Sequence, residues 1–486
     1  MRRLIPLLAV VLAACAPATA MRQGRAAAMP IDMLLAAPAD EAREALSAEV
    51  RAAAATIDAF DRDQRTLADL GRRLAERPAG MPLDGAALED LHRRFADSLD
   101  QVRELARISE RHRAWRDHDE ADPTLRLTGA GLSLAASCAL LDGYLVSGSV
   151  LAGDRALRDA LNHGDAGWGV GRDQLDALTR DYLDLGTRIG LRAQARLLRS
   201  ASAAWTAVPG PEAAWLRSRI QASPSRETLE GFWLIGPDES VPGSLGLVAS
   251  DLRALTDRAT ATTSQGFGNA VGSVVWRSGR MAGSATVAAA VRARLRPGDI
   301  VLEKTPFRLT DHFIPGHFGH AAVWVGSLDD LAGLGLAGDP LVASQRDALA
   351  AGRGMAEALR DGVQLNTLER FLDVDDLCVL RPAGDDRERA EVVRRALRHL
   401  GKPYDFAFDV QTTDAIVCSE LVYQCWTGIP WATDRTLGRW TISPDQVARR
   451  GSDGTLAVVD LWRDGRRVDG DLRAALTALV PVEARR

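Results

Sequence analysis

Residues 412–426 read TTDAIVCSELVYQCW, and residues 311–326 read DHFIPGHFGHAAVWVG. The first stretch places Cys418 behind a short apolar lead-in and at the start of a helical pattern of Leu421, Val422, Cys425 and Trp426. A thiol at that position meets unpaired backbone N–H groups and the positive end of the helix dipole. Both favour thiolate, so its pKa is expected below the ~8.5 of free cysteine. The same amides can hold a developing oxyanion. Cys425 lacks this advantage, and it reads with Cys138 and Cys378 as a buried apolar thiol. A cysteine nucleophile needs a base, and the base needs a third polar group to orient it. His320 opens the strand-like run HAAVWVG, where a rigid element can aim it. His312 and His317 lie in a loop-like stretch broken by Pro315, Gly316 and Gly319, with His317 as the alternative base.

A zinc site is the competing reading of these histidines, with Asp311 nearby. Their spacing fits no helix face of the H-x3-H kind and has no matching cysteine or carboxylate pair, so neither metal nor cofactor is expected. A disulfide between Cys418 and Cys425 is excluded if both lie on one helix. Seven residues then separate them by about 10.5 Å, beyond the ~7 Å that a bridge tolerates.

The chain that must position these groups has 486 residues, 46% of them hydrophobic, and implies two or three domains. A net charge of −5 gives no basic footprint for nucleic acid. Only Lys304 and Lys402 are lysines, and arginine is abundant. From Asp40 the pattern is helical. Leu46, Val50, Ile57, Phe60, Leu67, Leu70 and Leu74 form one stripe that Pro78 ends. Leu88 to Ile108 form a second, and Leu175, Leu178, Tyr182, Leu185 and Ile189 a third. Residues 40–260 therefore read as an all-α helical bundle, able to bind a protein partner and without a catalytic motif. The apolar stretch from Leu127 to Gly153, interrupted by Asp142, is expected to be a buried helical pair and no membrane span. Gly, Ser, Ala and Thr dominate a linker at 261–290. Residues 291–486 then bring β-like runs at 299–304, 320–326 and 376–382, a helix at about 385–400, and another opening near Cys418. The succession is α+β.

At the other end, MRRLIPLLAVVLAAC pairs two arginines with an apolar run from Leu4 to Ala14 and a cysteine behind small residues. This is the layout of an export signal, 1–15, whose LAAC ending resembles a bacterial lipobox. Cys15 is then the lipidated first residue of the mature chain, and 16–38 a tether to a membrane surface facing the periplasm. Ala16 lacks the acidic residue linked with inner-membrane retention, which favours the outer membrane.

Six short segments, in order, carry a resemblance to a known family. They are LRPGDIVL at 295–302, GHAAVWVG at 319–326, GMAEALRDGVQLNTLERFL at 354–372, VLRP at 379–382, GKPYDFAFD at 401–409 and VCSELVY at 417–423. Together they resemble the permuted papain-like amidases, YaeF/YiiX-type relatives of the NlpC/P60 superfamily. The resemblance implies a circularly permuted papain-like domain in which the histidine precedes the cysteine, with Cys418 as nucleophile and His320 as base. Its third polar residue falls on Glu357, and a long insert at 327–354 leaves Gln345 or Asp361 as alternatives. Tyr404, Ser419 and Trp324 are candidate cleft residues. Trp324, Trp426, Trp431 and Trp440 could form an apolar groove suited to lipid, or fill a core. The implied activity is hydrolysis of an amide or ester, and the expected periplasmic exposure makes an amide in a cell-wall peptide the first candidate. Cleavage or transfer of a lipid or acyl ester is the alternative, and a catalytically inactive scaffold the alternative of another class.

Overall fold

A computed structural model describes residues 30–78, 81–226, 277–307, 316–405, 408–436 and 439–482. Cys15, Asp311, His312, the residue-260 boundary and most of the linker lie outside them. The described residues fall into two compact units, 30–78, 90–164 and 169–226 in the first and 81–89, 165–168 and 277–482 in the second. Two short segments within 40–260 thus belong to the second unit, where side chains of that unit bind them.

The first unit is helical. Its longest helices are α1 (Ala39–Ala75), α2 (Gly85–Arg113, from Asp90 onward) and α3 (Pro123–Gly143). The stripe expected along α1 is the buried one, Leu46, Val50, Ile57, Phe60 and Leu67 among it. Asp122 starts α3 by accepting from the Leu125 N–H at 3.0 Å, with Pro123 in the first turn. Apolar on nearly all sides, α3 is buried along most of its length, as such a helix must be. Gly129 lets it reach the Trp115 ring, which an added Cβ would meet at 2.2 Å. The expected helical pair is instead one run, continued by a π-helical stretch at Tyr144–Gly148 and a last turn at Ser149–Gly153. Asp142 does not break it, because Ser223 Oγ, the Ser225 N–H and Arg219 satisfy its carboxylate at 2.9–3.1 Å. By length and composition alone, this is the one described helix able to cross a membrane.

Two further expectations are corrected. The third stripe is two helices, α4 (Gln174–Leu183) and α5 (Leu185–Ser200), because Asp184 takes an extended backbone and caps α5 through the Thr187 N–H at 2.6 Å. The tether ends early, since Ile31–Ala36 is helical and Leu34 is buried in the unit's core.

The second unit is α+β. Its seven-stranded antiparallel sheet has the order β4-β3-β2-β1-β5-β8-β9, with β1 Ile300–Lys304, β2 His320–Trp324, β3 Met355–Leu359, β4 Gly362–Asn366, β5 Asp376–Arg381, β8 Ala457–Arg463 and β9 Arg466–Arg467. A separate ribbon pairs β6 (Asp434–Thr436) with β7 (Arg439–Thr441). One core contains α6 (Asp386–Arg398) and α7 (Cys418–Cys425), and the other contains Met281, Val291 and Phe371. The insert at 327–354 folds into short helices and their connections, and its Leu331, Leu336, Val342 and Leu349 join the first core, so β3 follows in register.

Candidate active site

Three elements converge on the Cys418 sulfur. The first is α7, whose first residue is Cys418 itself. Glu420 caps that end by accepting from the Val417 N–H at 3.0 Å. The second is β2, which begins at His320. The loop before it is fixed by Asp445, whose carboxylate accepts from the N–H groups of His317 and Phe318 at 2.9 and 2.8 Å. The third is β3. Register pairs Ala322 with Glu357, placing Glu357 diagonally across from His320 on the same face of the sheet.

The contacts follow this layout. His320 Nε2 lies 3.1 Å from Glu357 Oε2, which leaves Nδ1 for the sulfur of Cys418. Glu357 Oε1 accepts from Asn366 Nδ2 at 2.6 Å, and Asn366 Oδ1 accepts from Arg370 Nη1 at 3.1 Å. A chain of hydrogen bonds therefore runs from the sulfur through imidazole, carboxylate and amide to a guanidinium. Each member fixes the orientation of the one before it.

The electrostatics of the pair are opposed by burial and carried by contact. Burial pushes the Cys418 thiol up, but the charge and hydrogen bond of His320 and the N–H groups of Ala321 and Ser419 outweigh it, and the net shift is downward. Burial likewise disfavours a charged His320. The Cys418 thiolate, hydrogen bonds to Cys418 and Glu357, and the carboxylate of Glu303 on the neighbouring strand nevertheless hold its pKa well above 6.5. The two stabilise each other as thiolate and imidazolium. Cys418 retains 6% exposure as a residue and the His320 side chain 13%, so the pair is shielded but not sealed.

Of the remaining candidates, Tyr404 stands near the sulfur. Burial first, and then the charges of Cys418, Glu420 and Asp405, raise its phenol well above the usual value. Beside it the exposed Phe408 takes a left-handed φ of 54° and meets its ring edge-on at 6.3 Å. Ser419 turns its hydroxyl away, donating to the Ile442 carbonyl at 2.6 Å, and only its backbone faces the thiolate. Trp324 is not a cleft residue. It lies on the same face of β2 as His320 but four residues, about 13 Å, further along, where the second core covers that face and Arg292 stands 5.0 Å above its ring. The tryptophan groove also fails, since Trp426 is core and donates to the Gly298 carbonyl at 2.8 Å, while Trp431 and Trp440 pack against that core. Gln345 ends a short helix in the insert, and Asp361 is exposed in the β3–β4 turn, so neither takes the place of Glu357. His317 is held away, its Nε2 2.9 Å from Asp376. Among the described residues no cluster of three His, Cys, Asp or Glu side chains is arranged for a metal.

Glu303, Asn366, Arg370 and Asp445 escaped sequence reasoning. A local cue existed for one of them. Asp361-Gly362 is a hairpin turn signal, and reading it pairs β3 with β4 and brings Asn366 toward Glu357.

Residues 294–466 match a family described as permuted papain-like amidase enzyme, YaeF/YiiX, C92 family. No curated protein and no solved structure matches the chain significantly.

Proposed function

We propose that residues 294–466, a permuted papain-like amidase domain and hence a cysteine-dependent hydrolase of amidase or peptidase type, cleave a peptide amide through Cys418, His320 and Glu357. The observation that supports these roles is the buried pair at the start of α7, a lowered thiol against a raised imidazole. The thiolate attacks the amide carbon, forming the C–S bond while the oxyanion meets N–H groups of the first turn of α7. His320 gives its proton to the leaving nitrogen as the C–N bond breaks. Water then adds to the thioester, its proton passes to the imidazole, and the acid product leaves with the thiolate restored. Glu357 orients His320 and stabilises its charge, and Asn366 holds Glu357.

The substrate favoured is a cell-wall peptide, reached by export and anchoring through a lipidated Cys15. The apolar run ahead of that cysteine motivates the placement. Burial of Trp324 and Trp426, with Trp431 and Trp440 packed against the core, weakens the case for a lipid substrate. Purified protein and its Cys418→Ser variant, assayed on peptidoglycan fragments and phospholipids, test this. Release of a peptide amine by wild type alone supports it, while ester cleavage, or no turnover with no fast thiol labelling, overturns it. Cys15→Ser should move the protein from membrane to soluble fractions, and unchanged fractionation would refute the anchor.

A further inference from the structure

The helical unit contains a cavity of about 130 Å³ walled by α1–α5 and the π-helical turn. Its length is set by α2, where Phe95, Val102, Ala106 and Arg113 all face it. Eighteen residues of helix span about 27 Å. A lining that follows α2 over that distance makes an elongated slot, which suits an extended chain better than a compact ring. The wall is apolar because its polar groups bind one another. Gln64 donates to Ser98 at 2.7 Å and accepts from Ser147, the Ser109 and Ser137 hydroxyls are 2.7 Å apart, and Tyr144 donates to Thr179 at 3.1 Å. A water needs several free polar partners to remain in such a space, and these hydroxyls and the Gln64 amide are already engaged with one another. The π-helical turn contributes Tyr144, Ser147 and Gly148 to the wall, and single π turns inside helices recur at functional sites. Arg103, Arg113 and Asp181 are the charged residues along the slot. Both arginines already pair with carboxylates of their own helix, Asp100 and Glu110. The slot therefore selects for a tail more than for a head.

We propose that this slot binds a single unbranched hydrocarbon chain, either a free fatty acid or the acyl tail of a lipid. The site is independent of Cys418 chemistry. Delipidated full-length protein titrated with cis-parinaric acid should show a saturable fluorescence rise with one site per chain, reversed by palmitate. Palmitate, 1-hexadecanol and lysophosphatidylcholine distinguish the sources. Displacement by palmitate and hexadecanol identifies a free chain, and displacement by the lysolipid alone a lipid tail. Absence of saturable binding, or better displacement by naphthalene than by any chain, overturns the proposal. Ala106→Phe should weaken parinarate binding at least tenfold without changing hydrolase activity, and undiminished binding overturns it. A diazirine-bearing palmitate tests the wild type without substitution. Labels within 95–113 and 137–151 support the slot, and labels confined elsewhere refute it.

Discussion

The two ends of α7 carry the same side chain in opposite states. Cys418 at the first position has its thiol lowered, whereas Cys425 at the last is pushed up to about 12, chiefly by burial. Both sulfurs are removed from water, so burial alone cannot explain the difference. At the N-terminal end an imidazole and two N–H groups face the sulfur. At the C-terminal end, Arg395 spends a hydrogen bond on the Cys425 carbonyl at 3.2 Å and its Nε on Glu89 at 2.7 Å, so its charge is already answered. What makes a buried cysteine a nucleophile is thus the supply of donors that can stabilise its anion.

The largest effect expected from breaking this contrast is on Cys418. Cys418→Ser should lower kcat/KM by about 10⁴-fold or more, while Cys425→Ala leaves turnover within about twofold, measured on the same peptide substrate. Comparable losses in both would erase the distinction between the ends. Glu357→Gln should cost about 10²- to 10³-fold, since the imidazolium loses its carboxylate while its geometry survives. The pH dependence of alkylation sharpens the same comparison. A lowered Cys418 keeps more thiolate than an ordinary cysteine as pH falls, and a raised His320 stays protonated to higher pH than an ordinary histidine. Iodoacetamide should therefore label Cys418 at a lower pH than it labels free glutathione and leave Cys425 unmodified even at pH 9, as peptide mass mapping would show. Asn366→Leu should reduce kcat by about tenfold with KM little changed, because it frees Glu357 without touching substrate. A loss confined to KM would place Asn366 in substrate binding instead.

How much of this could be read beforehand depended on range. The helix start at Cys418 and the strand start at His320 are local patterns, and the structure places both elements there. Glu357 was reachable only through resemblance, because its meeting with His320 depends on the register of β2 against β3 across an intervening insert. Asn366 and Arg370 lie one hairpin further on. Trp324 was misjudged because it shares the face of His320 but lies four residues further along the strand, past the cleft and under the second core. In the helical unit the stripes of α1 and α2 were plain, whereas the break at Asp184 was masked by apolar residues that keep helical spacing across it.

Two short stretches of the second unit arrive long before the rest of it. Leu83 accepts from the Tyr423 hydroxyl at 3.2 Å, Glu89 holds Arg395, and Asp165 holds the fully enclosed Lys402 amine at 2.7 Å, two residues from Tyr404. A gene trimmed to codons 277–486 would retain every residue named in the reaction and still strand that amine without the carboxylate it touches. Losing one partner of such a pair costs about 3–5 kcal/mol. The trimmed product should melt early or fail to fold, and Asp165→Asn in the whole chain should reproduce part of that loss in a thermal melt. For this protein, a minimal hydrolase has to be sought by keeping pieces that no single cut can preserve.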